Sequence, residues 1–295
     1  MNVRFGVSPI AWFDSALSQF GKDMTLEVCL AQAREAGFSG IESGIKFPTN
    51  AQALGVLLQR SGLALVSGWF QGSLLSSSVL EEKARMQAQV AACKALGAPL
   101  LAYTDASGSI QSRFDTPASL RARIDDEDFP SYGAKLTELA NWIAENGMAL
   151  AYHHQMGTII QSQREIDLLL QHTGPAVSLL IDTGHLAYAG ADVLSLTRRH
   201  ADRITLVHCK DVRPEVLKRV RQRDTSLPLA VQDGVFTVPG DGCVDYRAVL
   251  APLADAGYSG WWVVEAEQDP VIAEPARYAQ LGFRHLRALA DALYA

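Results

Sequence analysis

No apolar run in this sequence approaches the roughly 18 residues that cross a bilayer, so no membrane span is expected. Glycine-serine and proline-rich tracts are missing too, which argues against a flexible linker or a disordered segment. Four cysteines are present, Cys29, Cys93, Cys209 and Cys243, and no two form a C-x-x-C pair. That spacing supplies neither a thiolate metal site nor a disulfide framework, and a reducing compartment is expected. The opening residues Met1-Asn2-Val3-Arg4 lack the apolar core of a signal peptide, so the expected location is the cytoplasm. Basic side chains are outnumbered, 26 against 32 acidic, for a formal net charge of -6. Such a balance lacks the clustered Lys and Arg that a phosphate backbone demands, and no nucleic-acid partner is expected. The one basic cluster, Lys218 to Arg223 joined by Arg213, reads as a solvated helix face. Small neutral substrates suit this charge better.

What is present is a regular alternation of short apolar runs with amphipathic stretches, the pattern of parallel βα units. Eight strands are predicted: Arg4 to Ser8, Gly40 to Ser43, Leu63 to Trp69, Pro99 to Tyr103, Met148 to His153, Val177 to Asp182, Ile204 to His208 and Trp261 to Glu265. Predicted helices fill the gaps: Leu26 to Glu35, Ala51 to Arg60, Val79 to Leu96, Tyr132 to Glu145, Gln163 to His172, Val193 to His200, Tyr246 to Ala256 and Glu274 to Leu293. The phrase Glu35-Ala36-Gly37-Phe38-Ser39-Gly40 recurs as Asp255-Ala256-Gly257-Tyr258-Ser259-Gly260, each time with a glycine placed to end a helix before a strand. An open doubly wound sheet would carry G-x-G-x-x-G after its first strand, and that loop is absent. The expected fold is therefore an α/β (β/α)8 TIM barrel, one domain spanning residues 1–295. Thr104 to Pro130 and Lys210 to Cys243 are too long for simple connections. Both follow strands and would lie on the active face, as lids or as contacts in a homo-oligomer.

Side chains able to hold a metal fall at the ends of four predicted strands. The fifth ends in Tyr152-His153-His154-Gln155, the sixth in Asp182-Thr183-Gly184-His185, the seventh in His208-Cys209-Lys210-Asp211 and the eighth in Glu265-Ala266-Glu267. A histidine at one strand end is commonly structural, but four such ends converge on one bowl in a barrel. Imidazole with carboxylate suits Mn, Co, Zn or Fe(II). Trp12, Glu42, Lys46 and Trp69, after strands one to three, are expected to line the same bowl.

These segments also carry a resemblance. Ser8-Pro9-Ile10-Ala11-Trp12, Tyr152-His153-His154-Gln155-Met156-Gly157-Thr158, Asp182-Thr183-Gly184-His185 and His208-Cys209-Lys210-Asp211-Val212-Arg213-Pro214-Glu215 resemble the inosose dehydratase family of the xylose-isomerase-like barrels. So do Phe236-Thr237-Val238-Pro239-Gly240-Asp241-Gly242 and Val264-Glu265-Ala266-Glu267-Gln268-Asp269-Pro270. The resemblance implies dehydration of 2-keto-myo-inositol, a cyclic polyol ketone, in inositol catabolism. It also implies a divalent metal, with Mn2+ or Co2+ favoured over Zn2+ or Fe2+, and glutathione by family likeness alone. Three superfamily ligands carry over as Asp182, His208 and Glu265. The usual strand-five Glu is replaced by His153, which would either ligate through imidazole or orient a water or the substrate. Glu267 shares the parity of Glu265 and competes with it as ligand. Lys210, His185 and Glu267 are the possible bases, and His154 could protonate the departing hydroxyl. The alternative reading is a metal-dependent sugar or keto-polyol isomerase or epimerase, because the enolate would be common to both reactions.

Overall fold

The computed structural model describes residues 3–14, 16–17 and 19–294; Met1 and Asn2, which the leader argument used, lie outside them. Its strands, in chain order, are β1 (Arg4–Val7), β2 (Gly40–Ile41), β3 (Ala64–Leu65), β4 (Gly68–Gly72), β5 (Leu100–Asp105), β6 (Ala149–His153), β7 (Val177–Asp182), β8 (Ile204–Cys209), β9 (Asp211–Val212), β10 (Phe236–Thr237) and β11 (Trp261–Val264). Nine of them form one parallel sheet in the order β3-β2-β1-β11-β8-β7-β6-β5-β4. The two ends of that order, β3 and β4, are separated in the chain only by Val66 and Ser67. The sheet therefore closes on itself, and the third predicted strand is a single stave interrupted by those two residues.

Helices form where sequence caps them. Thr25, Asn50, Ser78, Ser162 and Asp245 each accept a backbone N–H in the first turn of the helix they precede, and Ser78 and Ser162 do so in reciprocal capping boxes with Glu81 and Glu165. Inside the barrel Val66, Leu100, Ala102, Ala151, Leu180, Leu206, Trp261 and Val263 pack together. Alternate residues face outward and join the helices in a second, larger core. Trp261 is large for such an interior, and Gly40 makes room for it: a Cβ there would stand 2.6 Å from Trp261 Cη2. Gly6 likewise makes room for Val66, since a Cβ on it would stand 2.8 Å from Val66 Cγ2.

Both long excursions are ordered on the C-terminal face. The first is held by buried Arg121, which donates to the carbonyls of Thr158 and Ile159 and pairs with Glu165. The second contains the helices Pro214–Gln222 and Leu227–Gln232 and the antiparallel pair β9 and β10. Together with Leu17, Phe20, Met156 and Tyr188, residues of this second excursion build a small apolar roof over the bowl. Those two helices of the second excursion are outside the eight expected, and so is a third: Thr183–Ala189 starts directly at the end of β7, with the Asp182 side chain accepting from the His185 N–H. Its seven residues are too few to show a helical period. Among the described residues no helix is long and apolar enough to cross a membrane.

Candidate metal centre and proton-transfer site

Two-residue parity along the strands decides which side chains meet. His153, Asp182, His208 and Glu265 each stand two positions beyond an interior residue, namely Ala151, Leu180, Leu206 and Val263. Register aligns them, with Asp182 beside His208 and Val263 beside His208 on adjoining strands. All four are buried, and one ligand-capable atom from each lies within 4.8 Å of the others. His208 Nδ1 is 2.8 Å from Glu265 Oε2 and 3.6 Å from Asp182 Oδ2, and His153 Nε2 is 3.5 Å from Asp182 Oδ2.

These four atoms make no hydrogen bond among the described residues, despite complete burial. Unpaired buried polar atoms are costly, and four lone-pair carriers aimed at one point are satisfied together by a cation. Burial holds the His153 imidazole well below the ordinary histidine range, so it is neutral and its lone pair is available. Burial also lowers His208, but Glu265 and Glu42 outweigh it and hold its imidazolium well above that range. A metal at this point would replace that proton. Two nitrogens and two carboxylate oxygens fit a divalent ion.

Glu42, expected in the bowl as a substrate contact, lines the cavity and also backs His208. Its Oε1 lies 3.0 Å from His208 Nε2 and accepts from Ser67 Oγ at 2.8 Å. Held this way, Nε2 carries the proton and Nδ1 faces the ligand cluster. Replacing Glu42 by Ala is expected to weaken metal affinity about 10- to 100-fold, the usual cost of losing such a support. Titration of apo-protein with Mn2+ reads this directly, and unchanged affinity would remove Glu42 from the role.

Beside the cluster lies a second group. Lys210 Nζ is 2.8 Å from Glu267 Oε2, 3.0 Å from His185 Nε2, 3.1 Å from Glu265 Oε2 and 3.4 Å from Asp182 Oδ2. Burial opposes its charge, but Asp182, Glu265 and Glu267 outweigh burial and hold the ammonium above the ordinary lysine range. Lys210 is thus held protonated at neutral pH, and the lowered pKa that a lysine base needs is not found. Burial raises Glu267 to about 7 against the pull of Lys210. That value places its carboxylate near the optimum for a general base. Gly184 makes the arrangement possible: a Cβ there would meet Lys210 Cγ at 2.4 Å. Phe236, from the roof, closes over Lys210 and His185 with ring distances of 4.8 and 5.1 Å.

Glu265, rather than Glu267, enters the ligand cluster, because Glu267 is turned onto Lys210. Trp69 joins the site, edge-on to His153 at 5.1 Å and stacked on His208 at 6.5 Å. Three expected residues stand elsewhere. His154 has the opposite parity, and its Nε2 accepts the Asp182 N–H at 3.1 Å, which leaves it behind the ligand strand. Burial lowers it to about 4, so it is a neutral acceptor and not a proton donor. Trp12 is fully buried in the outer core, bonded to Gln32 Oε1 at 2.6 Å. Lys46 donates to the carbonyls of Gly21, Lys22 and Met24 and pins the segment after β1.

The bowl opens into a cavity of about 520 Å³ lined in part by Asp14, Glu42, Trp69, Gln155, Glu265 and Glu267. Asp14 and Gln111 were not singled out in the sequence: neither ends a strand, and no motif marks them.

A family model for the xylose isomerase-like TIM barrel matches residues 30–289. The chain is 44% identical over 292 residues to the rhizopine catabolism protein MocC of Rhizobium meliloti, covering 99% of this chain and 90% of that protein. It is 40% identical over 287 residues to an inosose dehydratase of Geobacillus thermodenitrificans, covering 97% and 96%. Among solved structures, the probable 3-DHS dehydratase AsbF of Bacillus anthracis superposes with a TM-score of 0.69 at 13% identity, covering 97% of this chain and 99% of that one. An L-ribulose 3-epimerase does so with a TM-score of 0.69 at 18% identity, covering 99% and 96%, and both likenesses concern the fold alone. With a buried His-Asp-His-Glu cluster at four strand ends that could hold a metal, and full-length relatives above 30% identity, the chain belongs to the xylose isomerase-like TIM barrel family, in the group that holds the inosose dehydratases.

Proposed function

We propose that this protein is a hydro-lyase that dehydrates inosose, 2-keto-myo-inositol, to a trihydroxycyclohexane-dione, using a divalent metal held by His153, Asp182, His208 and Glu265. The observation that carries the reading is the contact of Glu267 with Lys210 directly beside that cluster, in a chain similar over nearly its full length to inosose dehydratases. When bound, the ion supplies Lewis-acid polarisation of the ketone, and Mn2+ or Co2+ suits the donor set, with Zn2+ or Fe2+ as substitutes.

The chain's own residues move the protons. Glu267 removes the proton α to the ketone, and the C–H electron pair becomes the new C=C bond as the β C–O bond breaks. Lys210 delivers a proton to the departing hydroxyl, which leaves as water. Glu267 then returns its proton to Lys210 across their 2.8 Å contact, so both residues end as they began. The roof around Phe236 excludes water while the intermediate lasts. His153, where relatives of the wider superfamily carry a carboxylate, offers no second base on the opposite face, which favours elimination over epimerisation.

Incubating Mn- or Co-loaded protein with 2-keto-myo-inositol tests the reading. Growth of an absorbing dione enol, with loss of one water by mass, is expected. Stereoisomers of unchanged mass would overturn it in favour of an epimerase.

A further inference from the structure

Polyol substrates present several similar hydroxyls, and a lyase must hold the ring so that one C–H meets the base. The metal cluster occupies four consecutive staves, β6, β7, β8 and β11. Two other polar side chains line the cavity, one in the segment after β1 and one just past β6. Asp14 follows β1 and is only 3% exposed; its Oδ1 accepts from the N–H groups of Ala16 and Leu17 at 2.7 and 3.2 Å. Its Oδ2 makes no hydrogen bond among the described residues, in a side chain that lines the cavity. Gln155 follows β6 and is 7% exposed. Its Oε1 accepts from Gln111 Nε2 at 3.0 Å, which fixes the amide and leaves Nε2 to donate. In a ring of eight staves β1 and β6 are diametrically opposed.

We infer that Asp14 and Gln155 are a substrate-binding pair that reads ring hydroxyls of a neutral cyclic polyol, Asp14 Oδ2 accepting from one and Gln155 Nε2 donating to another. This rests on the proposed function for the identity of the ring. An ionised carboxylate only accepts and the free amide nitrogen only donates, so the pair distinguishes the two ends of the bound ring. Both groups are locked by bonds to the protein, so little freedom is lost when substrate arrives. Neutrality of the ligand follows from the lining. Asp14, Glu42, Glu265 and Glu267 line the cavity, while the one guanidinium that lines it among the described residues, Arg85, is engaged by Ser73, Ser77 and Glu82. Lys46 acts behind Asp14, tying the carbonyls of Gly21, Lys22 and Met24 so that the segment carrying the carboxylate stays over the bowl.

The test uses Asp14→Asn, which keeps an oxygen for Ala16 and Leu17, and Gln155→Met, which keeps the side-chain length and removes the donor. Each variant of the metal-loaded protein is expected to keep its metal content and melting temperature, to raise the KM for 2-keto-myo-inositol at least tenfold and to change kcat much less, since a hydrogen bond to a charged or fixed polar group discriminates by about that factor. Calorimetric binding of myo-inositol, which carries the ring hydroxyls and cannot be dehydrated in the same way, is expected to weaken in parallel. That measurement separates the two readings. If wild type does not turn over the ketone but binds myo-inositol and both variants lose that binding, the proposed function fails and the pair stands. Wild-type KM and wild-type myo-inositol binding in both variants would overturn the pair. So would a wild type that binds no myo-inositol at all.

Discussion

Replacing His208 or Asp182 by Ala is expected to abolish both metal binding and turnover. Each residue is fully buried and supplies an atom that has no hydrogen bond among the described residues. Removing one leaves three donors and a cavity at the end of a strand whose neighbours cannot close it. The loss reaches further for His208, because Glu42 is then also stranded: its Oε1 keeps Ser67 and loses the imidazole. Asp182 has a second duty, capping the helix Thr183–Ala189 through the His185 N–H at 2.8 Å. Asp182→Asn retains an acceptor for that cap while weakening the ligand, and so separates the two duties. Metal content by atomic emission, with melting temperature alongside, reads the result. A His208→Ala protein with full metal content would sink the assignment.

Changing Glu267 to Gln should leave the metal in place and lower turnover by roughly 100-fold or more, the usual contribution of a general base. The ligand cluster does not include Glu267, so metal titration and activity are expected to part company in this variant. Lys210→Met should behave in the same way, as the proton donor is lost while the four ligands remain. The pH profile gives an independent reading. Glu267 must be ionised to take a proton, and burial raises it to about 7. Turnover is therefore expected to fall as pH drops through that region and to be retained above it. A bound cation favours the ionised form and moves this limb toward lower pH. The limb should vanish in Glu267→Gln, and a variant that keeps both wild-type turnover and the acid limb would exclude Glu267 as base.

The same geometry shows why the group of relatives matters less than the residues. Solved structures of a probable 3-DHS dehydratase and an L-ribulose 3-epimerase superpose equally well on this barrel, so the fold alone does not choose a reaction. The choice lies in which side chains stand beside the cluster.

Sequence by itself determined the barrel and the four strand ends whose side chains meet in one buried cluster. Both follow from local rules: eight apolar runs alternating with capped helices, and a two-residue parity that turns Ala151 and His153, or Leu180 and Asp182, to one side. Parity also separated His153 from its neighbour His154 in principle, but the strand's interior face had to be known before the sign of that parity could be read. Glu265 and Glu267 share a parity, so only side-chain packing against Lys210 told them apart. Trp12 and Lys46 lie just past strands as bowl residues do, yet their partners, Gln32 and the carbonyls of 21, 22 and 24, are 20 to 25 residues away in the chain, and Glu42, which does line the cavity, is held by His208 166 residues away. Asp14 and Gln111 each stand several residues beyond the last residue of a strand, and what brings them to the cavity is the folding of long segments over the barrel mouth. Strand periodicity is a local property of the chain. The direction a loop side chain takes is set by contacts between distant residues, and those exist only once the barrel has closed.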